Sequence, residues 1–151
     1  QHNTAGLICL YMKLRKMRIA DLKTAYLLWQ KAGLNVATYK REQFEVRNIL
    51  KINPSSCFVL EDKGKIIGTI LGTFNGRRAW LYHLAIQPDF QNKGYGSLLL
   101  DKSEKALIKS GATKILIGVL PTNKKTLDFY QKRSFSIMDD ALALQKDLWK
   151  E

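Results

Sequence analysis

The sequence predicts a mixed α/β (α+β) fold: one central, mostly antiparallel sheet, helices on both faces, and a parallel central strand pair joined by a helical crossover. Two observations carry that prediction. Residues 56–86 are rich in β-branched and aromatic side chains and are broken by Asp62-Lys63-Gly64 and Asn75-Gly76, which marks consecutive hairpin-linked strands. After Pro88 the apolar period becomes helical, and the apolar run "TKILIGVL" follows it. A strand, a helix and a further strand in that order suit a right-handed crossover between parallel neighbours.

Taken in order, the elements begin at Met12, where "MKLRKMRIADL" reads as a short strand leading into a helix and as a natural start. Residues 1–11 then read as a leftover tag or an upstream extension, and 12–151 as one domain, since 151 residues suit a single core. Over 21–31, Leu22, Ala25, Tyr26, Leu28 and Trp29 recur at helical spacing, and Gly33 stops the run as a C-cap does. A second helix is expected over 39–51, with Phe44, Val46, Ile49 and Leu50 apolar and Asn53-Pro54 ending it. Strands are expected over 56–61, 65–74 and 78–86. In the last of these, alternation puts Trp80, Tyr82, Leu84 and Ile86 on one face and Leu81, His83 and Ala85 on the other. Both sets are largely apolar, so the strand is central. The crossover helix carries the stripe Leu99, Leu100, Ser103, Ala106, Leu107 and Ser110, and Gly111 ends it. "NKKTLDFYQKR" predicts a short helix, and "FSIMD" and "ALALQKDLW" two last strands.

Hydrophobic residues form 46% of the chain and charged residues 25%, a balance that suits a folded protein and excludes a disordered one. No apolar run approaches the roughly 20 residues that span a bilayer. "LICLYM" is too short for a signal peptide and lacks a small-residue cleavage site, so no membrane and a cytoplasmic location are expected. Cys9 and Cys57 have no metal-ligand spacing and read as small hydrophobes; no metal is expected. The net charge of +12 is dispersed over nearly every segment and favours anionic partners: nucleic acid, an anionic cofactor or an acidic protein surface. The absence of an aromatic stacking motif reads against nucleic acid. A monomer or a homodimer is expected.

The stretch "IQPDFQNKGYGSLLL" places Gly94 and Gly96 where the central strand has ended and the crossover helix begins. A helix start offers unpaired N–H groups and the positive end of a dipole, and glycines let an anion approach the backbone. The amides of residues 92–97 could wrap a phosphate, with Lys93 adding charge and Ser97 a hydroxyl. The spacing is not that of a nucleotide P-loop, which needs Lys after the last Gly, nor of the dinucleotide fingerprint, whose third Gly falls on Leu99. A glycine-marked surface turn is the alternative that the hexamer alone leaves open.

The longer segment "LYHLAIQPDFQNKGYGSLLL" resembles motif A of the GNAT superfamily of N-acetyltransferases: a strand ending Ile86-Gln87-Pro88, a loop from Gln91 to Gly96, then an amphipathic helix. "IIGTILG" in the third strand, Asn123 before the later helix, and "LDFYQKRSF" are similar to the same family, and the order of elements follows it from about 12 to 150. Ser134 departs from it, where Gly commonly precedes the aromatic residue. The resemblance implies acetyl-CoA as co-substrate, its pyrophosphate on Gln91, Asn92, Lys93, Gly94, Tyr95, Gly96 and Ser97. It implies that the pantetheine arm pairs with the main chain of Leu84, Ala85 and Ile86, and that Asn123 holds the arm; simple N-capping by Asn123 is the alternative. It further implies acetyl transfer to an amine, either a small amine or a protein N-terminus or lysine, by direct attack in a ternary complex.

Amide formation needs a neutral amine, a stabilised oxyanion and a proton for the departing thiolate. The resemblance implies a backbone N–H near Ile86 for the oxyanion and Tyr130 as the acid; a packed core tyrosine is the other reading of Tyr130. The strand "AWLYHLA" has no carboxylate, so His83 or Tyr82 is the candidate base, with His favoured as a residue type that titrates near neutrality. A hydrogen-bonded core His, or deprotonation through water, are the alternatives. Arg77 and Arg78 either meet an acidic acceptor or cap a hairpin. A second class of function, an acetyl-CoA-sensing or RNA-binding module of the same fold without turnover, would also suit the charge.

Overall fold

Residues 11–151 are described in a computed structural model; Cys9 and the extension up to residue 10 lie outside the described residues. They form two compact units, one ending at Leu116 and one comprising Ile117–Glu151.

The first unit runs β1 (Met12–Lys16), a 3-10 turn (Ile19–Asp21), α1 (Leu22–Lys31), α2 (Tyr39–Ile52), β2 (Cys57–Asp62), β3 (Lys65–Phe74), β4 (Ala79–Ile86), a 3-10 turn (Pro88–Phe90), α3 (Tyr95–Lys109) and β5 (Ile115–Leu116). The strands form one sheet in sequence order, antiparallel from β1 to β4 and parallel between β4 and β5. Local chemistry sets the breaks. The two-residue loop between β2 and β3 has Lys63 at φ 50 and Gly64 at φ 79, both left-handed, which matches the twist of a tight hairpin. Before β4, the Asn75 side chain accepts from the amides of Arg77 and Arg78 at 2.9 and 2.8 Å, so these arginines serve the turn through their backbone. Thr38 caps α2 by accepting from the Arg41 amide.

Helices cover both faces of this sheet. On one side Leu22, Ala25, Leu28 and Trp29 of α1 and Val46 of α2 pack on Val59, Leu71 and Ala85. Cys57 belongs to the same cluster, and burial pushes its thiol up to about 12, so it is an inert apolar group as expected. On the other side α3 lies so close to β3 that a Cβ at Gly72 would strike Ser103 Oγ and stand 2.7 Å from the Ser56 carbonyl oxygen. That carbonyl also accepts from Ser103 Oγ at 2.8 Å, which fixes α3 against the strand. Gly72→Ala is therefore expected to destabilise the protein by about 1–3 kcal/mol through overpacking, read as a lower denaturant midpoint at unchanged slope.

β4 departs from strict alternation. Leu71 pairs with Tyr82 and Thr69 with Ala85, so Ile70 alone opposes both His83 and Leu84. His83 takes the extra position with φ 50. The insertion shifts the alternation, as a bulge does, and Tyr82 and Ala85 lie on one side of the sheet with Leu71 and Thr69. His83 packs from the same side against Trp29 of α1 and Glu42 of α2, which corrects the assignment of Tyr82 and His83 to opposite faces.

The second unit contains α4 (Lys124–Gln131), capped by Asn123, whose Oδ1 accepts from the Thr126 amide at 3.1 Å. The strands expected in "FSIMD" and "ALALQKDLW" do not form, and "TKILIGVL" yields only the two residues of β5. Leu142, Leu144 and Leu148 are 91%, 94% and 80% exposed. Apolar alternation supplies a strand's face but not the neighbouring strand that its backbone groups need, and β propensity alone does not order it.

Candidate active site

Because β5 meets β4 only at Ala79↔Ile115 and Trp80↔Leu116, the far edge of β4 continues from Leu81 to Ile86 with no strand partner among the described residues. Leu84, Ala85 and Ile86 lie on this stretch, immediately after the bulge. The strand then enters the Pro88–Phe90 turn, and Gln91 reaches back so that its Nε2 donates to the Ile86 carbonyl at 2.9 Å. Gln91 thus anchors the loop to the strand end through its side chain.

Asn92 at φ 63 and Gly94 at φ 86 turn the chain into α3. Thr38 and Asn123 cap α2 and α4 with side-chain oxygens, whereas Gly94 has none to offer, and α3 starts without a side-chain cap. Tyr95, Gly96 and Ser97 form its first turn, at the positive end of the helix dipole. A Cβ at Gly94 would meet nothing within 4 Å beyond its chain neighbours, so that side of the residue is open. Lys93 stands beside it, its Nζ 5.5 Å from the Phe90 ring centre. This set, from Gln91 to Ser97, is what the structure brings together with Leu84, Ala85 and Ile86.

The bulge holds the two base candidates on the face covered by α1 and α2. Trp29, fully buried, lies with its ring centre 4.3 Å from that of His83. Its Nε1 donates to Thr69 Oγ1 at 2.8 Å, and Thr69 Oγ1 donates to the His83 carbonyl at 2.8 Å, so ring and backbone of His83 are held by one chain of contacts. His83 Nε2 is 3.0 Å from Oε2 of Glu42 on α2. Glu42 is buried, and its other oxygen accepts from the Ala37 amide at 3.1 Å. Burial alone would raise the Glu42 carboxyl, but the bonds from His83 and Ala37 outweigh it and hold the group below its ordinary range. Tyr82 is exposed, yet burial of its hydroxyl and the charge of Glu45 raise it, which makes it a poor proton acceptor near neutrality.

Glu42 is the residue that reading β4 alone missed. A signal was present: Glu42 sits four residues before Val46 and seven before Ile49, on the apolar stripe of α2, where an unpaired carboxylate is costly.

In the second unit Tyr130 is 4% exposed, between Phe129 at 5.1 Å and Phe135 at 5.2 Å, both edge to face. Burial raises its hydroxyl well above the ordinary range, against the nearby Arg133 charge, so it stays protonated near pH 7. A groove of about 760 Å³ lined by Arg15, Asp21, Lys65, Gln87 and Phe90 opens elsewhere on the first unit; neither His83 nor the 91–97 loop lines it. Within it Arg15 bonds both oxygens of Asp21 at 2.8 Å and Glu61 at 2.8 Å. Among the described residues there is no cluster that could hold a metal and no helix long and apolar enough to cross a membrane.

The fold that these elements build is shared with solved acetyltransferase structures. The acetyltransferase (GNAT) family model matches residues 20–135, and the chain belongs to that family. It is 28% identical over 137 residues to the acetyltransferase SG1711 of Sodalis glossinidius, covering 91% of this chain and 96% of that one. The acetyltransferase YE1169 of Yersinia enterocolitica is 28% identical over 85% of this chain and 90% of its own. Among solved structures, Ard1 from Thermoplasma volcanium superimposes with a TM-score of 0.76 at 22% identity, over 85% of this chain and 84% of that one. The PaiA N-acetyltransferase of Thermoplasma acidophilum, in complex with coenzyme A, gives 0.74 at 21% identity, over 86% and 92%.

Proposed function

We propose that residues 12–151 act as one domain that moves the acetyl group of acetyl-CoA to an amine by direct attack in a ternary complex. The observation that carries this reading is the continuous track formed by the unpaired edge of β4, the Gln91-anchored loop and the uncapped start of α3. An anionic pyrophosphate suits that track: the start of α3 has the positive end of a helix dipole and no side-chain cap, Lys93 adds charge, and a Cβ at Gly94 would meet nothing within 4 Å beyond its chain neighbours. The main chain of Leu84, Ala85 and Ile86 is the candidate partner for the amide groups of the pantetheine arm, with Asn123 as a further contact. That PaiA structure was obtained with coenzyme A supports the assignment.

When bound, acetyl-CoA supplies the thioester carbonyl that an amine attacks. The chain's own tasks are then to take a proton from the ammonium form of the acceptor, hold the oxyanion and return a proton to the sulfur. A backbone N–H at the end of β4 suits the oxyanion. His83 suits the first proton better than Tyr82, because it has a buried carboxylate partner and Tyr82 has a raised hydroxyl. Tyr130, kept protonated by burial, is the candidate donor to the thiolate. The acceptor is a small amine, a protein N-terminus or a lysine.

Binding is tested by thermal unfolding. Acetyl-CoA at a hundred times its Kd is expected to stabilise the protein by about 2.7 kcal/mol through mass action, and Tm should climb with each further increase. An unchanged Tm at millimolar acetyl-CoA contradicts the reading.

A further inference from the structure

We propose that Glu42 is a positioning residue for the transfer reaction: by accepting the Nε2–H of His83 it fixes the imidazole so that Nδ1 receives the proton of the incoming ammonium. This rests on the reading of His83 as the base and goes beyond it by naming what makes His83 competent.

The first support is the stereochemistry of the pair. An ionised carboxylate can only accept, so the 3.0 Å bond to Glu42 Oε2 requires the proton on Nε2 and leaves the lone pair of the neutral ring on Nδ1. Glu42 is itself held in place through its bond from the Ala37 amide, and Trp29 fixes the plane of the ring. A base held by an oriented acceptor, itself held by a third group, is the arrangement that proton transfer in acyl chemistry uses.

The second support is what the other buried carboxylate does. Among the described residues Asp21 and Glu42 are buried, and Asp21 is neutralised by the permanent cation Arg15 through two bonds of 2.8 Å. Glu42 has the titratable His83 imidazole as its hydrogen-bonded partner instead, with the Arg41 charge a smaller influence. A charge so placed stabilises imidazolium at the moment it forms, while a purely structural pair has no need of a partner that can lose its charge. The third support is backbone conformation: His83 occupies a left-handed position, uncommon for a non-glycine residue, inside a strand. The Thr69 and Trp29 bonds maintain it.

The proton balance closes. Nδ1 takes one proton from the ammonium and the ring becomes imidazolium; the freed amine pair forms the C–N bond, the C–S bond breaks, the thiolate takes its proton from Tyr130, and the acylated nitrogen gives up its second proton to water, so each turnover releases one proton. Imidazolium and tyrosinate then return to their starting states by exchange with water. The groups that hold His83 are Glu42 from α2, Trp29 from α1 and Thr69 from β3, with Tyr82 next to it in β4; Arg41, whose charge also acts on Glu42, is paired with Glu45 at 2.9 Å.

The test combines kinetics with a direct reading of the ring. Amine-dependent thiol release from acetyl-CoA is measured for wild type, Glu42→Gln, His83→Gln and the double variant, across pH. Glu42→Gln is expected to lower kcat/KM about 10- to 100-fold, at the lower end of what a positioned base supplies, with acetyl-CoA Kd unchanged. The double variant should be no slower than His83→Gln alone. Equal kcat/KM in Glu42→Gln and wild type overturns the positioning role while the transferase reading stands; absence of turnover in wild type overturns both. Should Glu42→Gln not fold, ¹⁵N NMR of the wild-type imidazole decides, with only two histidines in the sequence to assign. Protonated Nε2 and bare Nδ1 in the neutral ring support the proposal, and the opposite tautomer overturns it.

Discussion

Gly96→Val is expected to weaken acetyl-CoA binding by about 30- to 1,000-fold, equivalent to about 2–4 kcal/mol, while the fold is retained. The size follows from the contacts at stake. A branched side chain in the first turn of α3 displaces the anion from two or three charge-assisted bonds, each worth about 1.5–3 kcal/mol less the residual binding that a shifted pose recovers. Gly96 is the better position for the test than Gly94. Gly96 lies within the helix, where Val is tolerated, whereas Gly94 sits at φ 86 and any β-branched residue there strains the backbone before a ligand is considered. Calorimetry gives Kd, and the far-ultraviolet melting curve checks the fold. Normal binding by a folded Gly96→Val would mean that the turn only joins a strand to a helix.

Tyr130→Phe should reduce kcat by about 10²-fold with little change in acetyl-CoA Kd. It removes an interaction made chiefly in the transition state while the ring and its contacts with Phe129 and Phe135 remain. The lower end of general acid catalysis applies because a thiolate leaves fairly well unaided. A purely structural Tyr130 would instead change stability by about 1 kcal/mol and leave the rate per folded molecule as it was. Rates under conditions where chemistry is the slow step distinguish the two.

The parts of the fold legible in the sequence are those with local causes. Lys63-Gly64 and Asn75-Gly76 turn where they stand because left-handed residues and an Asn side chain act within a few positions. The loop at Gly94 and Gly96 was visible for the same reason, and the uncapped helix behind it follows directly from the glycine. What was not legible depends on partners distant in sequence. The bulge at His83 hides in a strand that is apolar on both faces, where a shift of one residue leaves no change of pattern. The Glu42–His83 contact joins positions 41 apart, and the strand alone shows only a histidine between apolar neighbours. "TKILIGVL" has the composition of a longer strand, yet its ladder covers two residues because pairing depends on β4 as much as on itself. Residues 135–151 carry apolar alternation but form no strand, and the same limit applies.

The transfer claim meets its most direct test in one assay: release of free thiol from acetyl-CoA by the wild-type chain across a panel of small amines, lysine peptides and peptides with free N-termini. The account predicts that at least one acceptor accelerates release in proportion to enzyme concentration and appears acetylated on nitrogen by mass spectrometry. A chain that leaves acetyl-CoA intact with every acceptor, at any pH between 6 and 9 and with the protein shown to be folded, would contradict it.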